Sequence, residues 1–189
     1  ERMHLLVGVF VGRARLGLLR RGFVPAPAAG PRLLNSHADL VFEGMTVAAM
    51  AVGARRGFLY LRGEYRHLLE TLEAVLVRRR EAGLLGEGIL GIAGADFDIE
   101  IHLGAGAYVC GEESALIASL DGKPGTPRNR PPFPVTNGYL DQPTVVDNVE
   151  TFACSALIAQ RGGDWFAAIG TEKSTGTKLL SISGDVAAP

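Results

Sequence analysis

The sequence has two cysteines in 189 residues, and no apolar run approaches the ~18 residues of a membrane span. Two cysteines exclude a disulfide scaffold, and on their own they cannot ligate an iron–sulfur cluster. Neither sign of charge dominates: 19 Lys and Arg against 20 Asp and Glu leave a net charge of −1. That balance argues against nucleic acid as the main partner. Glycine is what the chain has in quantity, 25 residues, which points to tight turns or close backbone approach to a ligand. With 47% apolar and 21% charged residues, the composition is that of a soluble globular protein of one domain, or one domain plus a fragment. A chain of this size can bury about 70% of its unfolded surface without staples.

One stretch has absences of its own. Residues 1–32 contain no Ser, Thr, Asn, Asp, Gln or Lys. They hold six arginines and a single acid, Glu1, for a local charge of +5, while the remainder carries 13 bases and 19 acids, for −6. The composition breaks near Leu33. As a secretory signal, Leu5–Val11 is a short apolar core immediately followed by Arg13 and Arg15, with Ala26-Pro27-Ala28 as a small-residue site. As a transit peptide, the segment has Arg and few acids but no Ser. As ordinary structure, Leu5–Val11 is a buried strand and Pro25–Pro31 a loop.

Beyond the break, helical and strand signals alternate. Asn35 and Ser36 are N-cap types before an apolar-periodic stretch, Ala38 to Val52, closed by Gly53. Gly57–Leu61 reads as a short buried strand. Leu68, Leu69, Leu72, Val75 and Leu76 have helical spacing and predict a helix over 65–82. Arg78, Arg79 and Arg80 form its solvated, dipole-compensating end before Gly83. From Asp96 to Leu103 apolar and polar residues alternate, a half-exposed strand with Phe97, Ile99, Ile101 and Leu103 inward. Its His102 has no ligand-spaced neighbour and reads as surface. A short helix spans Glu112 to Leu120, and Asn137-Gly138 is a turn. Asp147 or Asn148 caps a helix with an apolar face of Val149, Phe152, Ala153, Ala156 and Leu157; Asp147 and Glu150 have capping-box spacing. After Gly162-Gly163 come a turn with Trp165 and Phe166 and a last strand, Thr177–Ser183. The class is α/β.

Three places could hold chemistry. Gly104 and Gly106 follow a strand, but Val109 stands where the dinucleotide fingerprint needs its third glycine, so that fingerprint does not apply. Behind this loop, Gly111-Glu112-Glu113-Ser114 puts two carboxylates at a helix start. They compensate the dipole, or they accept from a ribose, a nicotinamide amide or a flavin edge, all hydrogen-bond donors. The basic loop with Arg128 and Arg130 offers bidentate pairing to a phosphate, and Phe133 between Pro132 and Pro134 is a held ring on which an adenine could stack. The helix start at Asp147-Asn148 presents free N–H groups to a phosphate or a flavin carbonyl, or is only a cap. Cys110 and Cys154 read as apolar thiols.

The runs Gly104–Leu116, Pro131-Pro132-Phe133-Pro134 and Pro143–Thr151 resemble the family of flavoprotein subunits of respiratory complex I, the 51 kDa subunit. That family includes the diaphorase subunit of NAD-reducing hydrogenases and the flavin subunit of NAD-dependent formate dehydrogenases. Asp164-Trp165-Phe166 and Gly176–Asp185 look most like the hydrogenase branch. The resemblance runs from about Leu33 to Pro189. It implies a Rossmann-like FMN-binding domain over 33–176, truncated at both ends, with 177–189 the first strand of a following domain. It implies FMN and NAD(H) as cofactors and hydride transfer from NADH to FMN. Its implied partners are iron–sulfur electron-transfer subunits, and its implied location is cytoplasmic. Carried over by position, Tyr108, Gly111, Glu112 and Glu113 line the FMN and nicotinamide site, and Phe133 stacks on the adenine beside Arg130. Val146, Asp147, Asn148 and Thr151 hold the flavin. No side chain serves as acid or base.

The chain departs from the family pattern. The early glycine-rich loop and the segment Asn-Ala-Asp-Glu-Gly-Glu-Pro-Gly, which belongs just before Leu33, are absent. So is the cysteine cluster of the [4Fe–4S] centre, so no cluster is expected in this chain. Asp147 stands where the family usually has Asn. The family segment commonly ends Lys-Asp-Arg, and codons for that tripeptide read two bases late give Gly-Pro-Arg, which is Gly30-Pro31-Arg32 here. Residues 1–32 are therefore expected to be a frame-shifted or mis-started stretch, or else part of a damaged partial gene. The alternatives to an NADH–FMN electron-transfer module of a hydrogenase or complex I-like assembly are an inactive fragment without cofactor and the flavin subunit of an NAD-dependent formate dehydrogenase.

Overall fold

The structure, a computed structural model, describes residues 3–8 and 29–179. Strand β2 (Ala54–Leu61) decides the layering. Leu59 and Leu61 join one buried cluster, and Phe58 and Tyr60 join another on the opposite side. A strand apolar on both faces must be covered on both, which is the condition of a parallel sheet between helices. The sheet is parallel throughout, in the order β3-β2-β1-β4, with β1 at Met3–Gly8, β3 at Asp98–Leu103 and β4 at Thr144–Asn148. The backbone of Met3–Gly8 thus lies between β2 and β4 as a strand, starting two residues before the expected Leu5–Val11; residues 9–11 lie outside the described residues.

Helices α1 (Ala29–Val52), α2 (Leu69–Glu81) and α4 (Val149–Arg161) feed the larger cluster, and α3 (Glu113–Leu120) feeds the smaller one. From α1 come Leu34, Val41, Phe42 and Met45, all fully buried. Each such side chain contributes about 1.5–3 kcal/mol by leaving water. Helices α1 and α4 touch backbone to backbone: a Cβ on Gly44 would lie 1.6 Å from the Phe152 carbonyl oxygen. Only glycine fits that crossing.

Several sequence expectations change. Helical turns begin at Ala29, so Pro31 lies in a first turn, where its missing N–H costs nothing, and not in a loop. The helix breaks at His37 (φ −140°, ψ 36°). Ser36 is no N-cap; its hydroxyl donates back to the Arg32 carbonyl at 2.7 Å. The stretch before α2 is a 3₁₀ turn, Gly63–Leu68, so the α-helix starts later than 65. Arg79 is not solvated. It is 5% exposed and donates to a Glu43 carboxylate oxygen, and Asp39 Oδ1 lies 3.6 Å from its Nη1, so it ties α2 to α1. Strand β4 is not among the expected elements, and it makes Asn148, not Asp147, the cap of α4. Trp165 and Phe166 sit on a short helix, α5 (Gly163–Ala167). Residues 177–179 form no strand; the rest of the expected strand Thr177–Ser183 lies outside the described residues.

Candidate functional site

All four parallel strands point their carboxyl ends the same way, at Gly8, Leu61, Leu103 and Asn148. From β1 the chain moves outward through β2 to β3, then crosses back to lay β4 on the other side of β1. The reversal falls between β1 and β4, where Gly8 pairs with Asn148. In open parallel sheets ligands bind outside the carboxyl ends at such a reversal.

Two sequence-predicted residues sit at that point. Asn148 Oδ1 accepts from the Thr151 N–H at 2.9 Å and from the Thr151 hydroxyl at 3.1 Å. Its amide NH₂ has no partner among the described residues, which leaves two donors at the strand end. The neighbouring Asp147 accepts the Asn148 N–H at 2.8 Å. Both side chains are half-buried.

The turn after β3 reaches the same end. Gly104 donates its N–H to the Leu61 carbonyl at 2.8 Å, and a Cβ there would lie 2.3 Å from the Tyr60 hydroxyl. A 3₁₀ turn, Tyr108–Gly111, follows. Its Cys110 is buried in one cluster with Leu116 and Tyr60, against which Val146 of β4 packs. Apolar packing therefore fixes the turn beside the end of β4. Tyr108 is left 65% exposed and Gly111 is open.

Next in the chain, Glu112 caps α3. Its Oε2 accepts the N–H groups of Ser114 and Ala115, both at 3.0 Å, and the Ser114 hydroxyl at 2.5 Å. Burial pushes the Glu112 carboxyl up; the hydrogen bonds from Ser114, Ala115 and Arg130 outweigh it and hold the group below the usual carboxylate range. Arg130 Nη2 reaches both carboxylates, Glu112 Oε1 at 3.1 Å and Glu113 Oε1 at 2.5 Å. The same guanidinium lies 6.0 Å from the centroid of Phe133, a ring 49% exposed. The Phe133 carbonyl accepts from the N–H groups of Thr136 and Asn137, both at 2.9 Å, which fixes the loop that carries it.

Glu112, Glu113, Arg130 and Phe133 are thus one cluster, and Asp147, Asn148 and Thr151 another. No hydrogen bond or ion pair joins them among the described residues; Cys110 of the Tyr108–Gly111 turn belongs to the buried cluster against which Val146 of β4 packs. Sequence reasoning missed Ser114, which is buried and accepts the Arg128 N–H at 2.8 Å while donating to Glu112. It couples the helix start to the basic loop, and nothing in the local pattern announces it. Also missed was a groove of about 680 Å³ lined by Glu64, Arg66 and Gly104–Gly106 at the ends of β2 and β3. His102 is a correction: it is half-buried and stacks on Tyr60 at 5.5 Å, because the parallel register sets the two side by side. Among the described residues no group of His, Cys, Asp or Glu could hold a metal ion, and no helix is long and apolar enough to cross a membrane.

Comparison with known proteins adds relatives to this geometry. Residues 25–156 match the Nuo51 FMN-binding domain family. The chain is 57% identical over 157 residues to the NAD-reducing hydrogenase HoxS subunit alpha of Cupriavidus necator, covering 83% of this chain and 26% of that protein. It is 50% identical over 154 residues to the NADP-reducing hydrogenase subunit HndC of Solidesulfovibrio fructosivorans, covering 82% of this chain and 31% of that protein. A crystal structure of an NAD⁺-reducing [NiFe]-hydrogenase in the H₂-reduced state superposes with a TM-score of 0.82 at 46% identity, covering 100% of this chain and 29% of that one. The chain therefore spans between a quarter and a third of the length of these relatives.

Proposed function

The chain belongs to the Nuo51 FMN-binding domain family, and we propose from that premise that it is the FMN- and NADH-binding part of an electron-transferring oxidoreductase. The observation that carries the reading is Asn148, whose amide donors have no partner among the described residues and lie at the carboxyl end of the parallel sheet where its strand order reverses; the capped carboxylate pair and the exposed ring on the basic loop form a second cluster, reached through the turn after β3.

The donor set fits a flavin. Asn148 offers amide N–H groups, and Gly111 presents open backbone beside an exposed Tyr108 ring. When bound, FMN accepts a hydride from NADH and releases the electrons singly. The protein's part is to bind and orient. Val146, Asp147, Asn148 and Thr151 hold the flavin at the β4–α4 junction. Tyr108, Gly111 and Glu112 line its other side. Glu113 accepts from the nicotinamide carboxamide, and Phe133 stacks on the adenine with Arg130 beside it. The domain comprises 33–176, with Met3–Gly8 contributing the strand between β2 and β4.

Similarity to components of hydrogenases and of NADH-quinone oxidoreductases supports partner subunits of a hydrogenase or complex I-like assembly, and we take these to be iron–sulfur subunits and the location to be cytoplasmic. The hydrogenase branch is favoured by the 57% identity, against 45% to the matching component of the Escherichia coli NADH-quinone oxidoreductase. The second reading is a chain that keeps this fold and binds no cofactor. Desalting the chain after incubation with FMN separates the two. A retained stoichiometric yellow flavin supports the first reading, and a colourless protein with a cooperative melt supports the second.

A further inference from the structure

We infer that Arg130 is a positioning residue that latches Glu113 away from its ligand, and that a dinucleotide's pyrophosphate has to take Arg130 from the carboxylates before Glu113 can engage the nicotinamide. The inference rests on the proposed role of Glu113.

One guanidinium nitrogen, Arg130 Nη2, serves both Glu112 Oε1 and Glu113 Oε1. The two acids do not need it equally. Glu112 has other partners: its second oxygen is held by Ser114 and Ala115, and it stays fixed as the cap if Arg130 leaves. Glu113 has Arg130 as its partner among the described residues. Its charge in the free chain is thus met by a cation on the loop that also carries Phe133.

A carboxylate held by a guanidinium is a poor acceptor for a carboxamide N–H, because the ionic hydrogen bond is the stronger one. A pyrophosphate offers Arg130 a two-nitrogen fork and more charge, where the carboxylates engage one nitrogen only. Arg130 is 43% exposed, so it can turn from the carboxylates to an incoming anion without crossing buried structure. The backbone beneath it does not have to move, since Ser114 pins Arg128 and the Phe133 carbonyl is held twice. The adenylate half of the ligand, by drawing Arg130 off, thereby releases the acceptor for the nicotinamide half. A ligand that carries nicotinamide without phosphate must compete with the ion pair.

This gives an effect of opposite sign on two halves of one ligand. The probes are dihydronicotinamide riboside, which has no phosphate, and ADP-ribose, which has no nicotinamide; both are titrated by calorimetry onto the FMN-loaded chain with its flavin already reduced, so that no hydride transfer accompanies binding. Arg130→Gln is expected to weaken ADP-ribose and to tighten the riboside about two- to fivefold, the range of a partly exposed ion pair. Arg130→Lys, which keeps the charge and loses the fork, should lie between. Glu113→Gln, measured alongside, should shift the riboside and, by loosening the hold on Arg130, tighten ADP-ribose. If Arg130→Gln leaves the riboside unchanged or weakens it while Glu113→Gln still shifts it, the latch is overturned and the role of Glu113 stands. If Glu113→Gln does not move the riboside at all, the role of Glu113 fails and the latch falls with it.

Discussion

Replacing Gly44 by alanine places a methyl group where the α1–α4 crossing has no room. The added carbon would sit 1.6 Å from the Phe152 carbonyl oxygen and 2.5 Å from its carbon, both backbone atoms that no rotamer change can move. Ordinary contact begins near 3.4 Å, so one helix must retreat by well over an ångström. Both helices are anchored: Phe42 and Met45 beside Gly44 are fully buried, and Phe152 is 2% exposed. Overpacking typically costs about 1–3 kcal/mol, and a backbone clash belongs at the upper end or beyond. For a chain of this length about 3 kcal/mol lowers Tm by roughly 6–12 °C. Two controls calibrate the result. Gly163→Ala has open space and should be near neutral. Gly53→Ala has open space but φ +71°, so it should cost about 1–2 kcal/mol from strain alone. Thermal melts followed by circular dichroism rank the three. A Gly44→Ala melt within about 2 °C of the parent would refute the close crossing and, with it, the placement of α4 on which Asn148 and Thr151 depend.

Asp147→Asn should raise the flavin's reduction potential or tighten FMN while leaving Tm nearly unchanged. A carboxylate within about 5–8 Å of a reduced, anionic flavin costs roughly 2–3 kcal/mol at an effective dielectric near 20. Redox titration of both proteins decides this, and identical potentials and affinities would leave Asp147 with only its bond to the Asn148 N–H. Glu113→Ala should weaken NADH use more than FMN retention, by about 1.5–3 kcal/mol for one charge-assisted hydrogen bond, with stopped-flow flavin reduction as the readout. Glu112, held below the usual carboxylate range, stabilises the fold above about pH 4.3, and that contribution is lost as pH falls through its lowered folded value. Glu112→Gln should therefore flatten the acid limb of a stability–pH profile, and an unchanged limb would remove the cap from the account. His102, lowered by burial, should titrate below an ordinary histidine in a ¹H–¹⁵N pH series, and stability should fall as pH drops through about 6.5, where the unfolded chain takes up the proton first.

Much of the site is readable in the sequence because it rests on local rules. A carboxylate before a short apolar helix is a cap, and an aromatic between prolines on a basic loop is exposed. Sheet position is harder. Strand β4 has three β-formers, Thr144, Val145 and Val146, followed by two residues that read equally well as caps, so nothing local says that the chain extends through Asn148 before turning. Pairing with β1 decides between Asp147 and Asn148, a contact without local trace. Arg79 is readable and easily overlooked: it follows Leu72, Val75 and Leu76 at the spacing of the buried stripe, but a run of three arginines suggests solvent. His102 follows the alternation rule correctly, yet its outward face meets Tyr60 across the register instead of water.

The place of β1 in the sheet has a consequence for synthesis. Its partners arrive at very different times: β2 begins at Ala54, whereas Gly8 waits for Asn148, 140 positions later. At about 5–20 residues per second that delay is roughly 7–28 s on the ribosome. From the completion of β2 at Leu61 to the arrival of Asn148, 87 positions and roughly 4–17 s of it, β1 is the outermost strand of a half-built sheet, with one row of backbone donors and acceptors open to any extended chain nearby. The nascent protein is therefore most vulnerable to mispairing along the strand that will end up flanked on both sides, and the arrival of β4 closes the sheet and the cofactor end together.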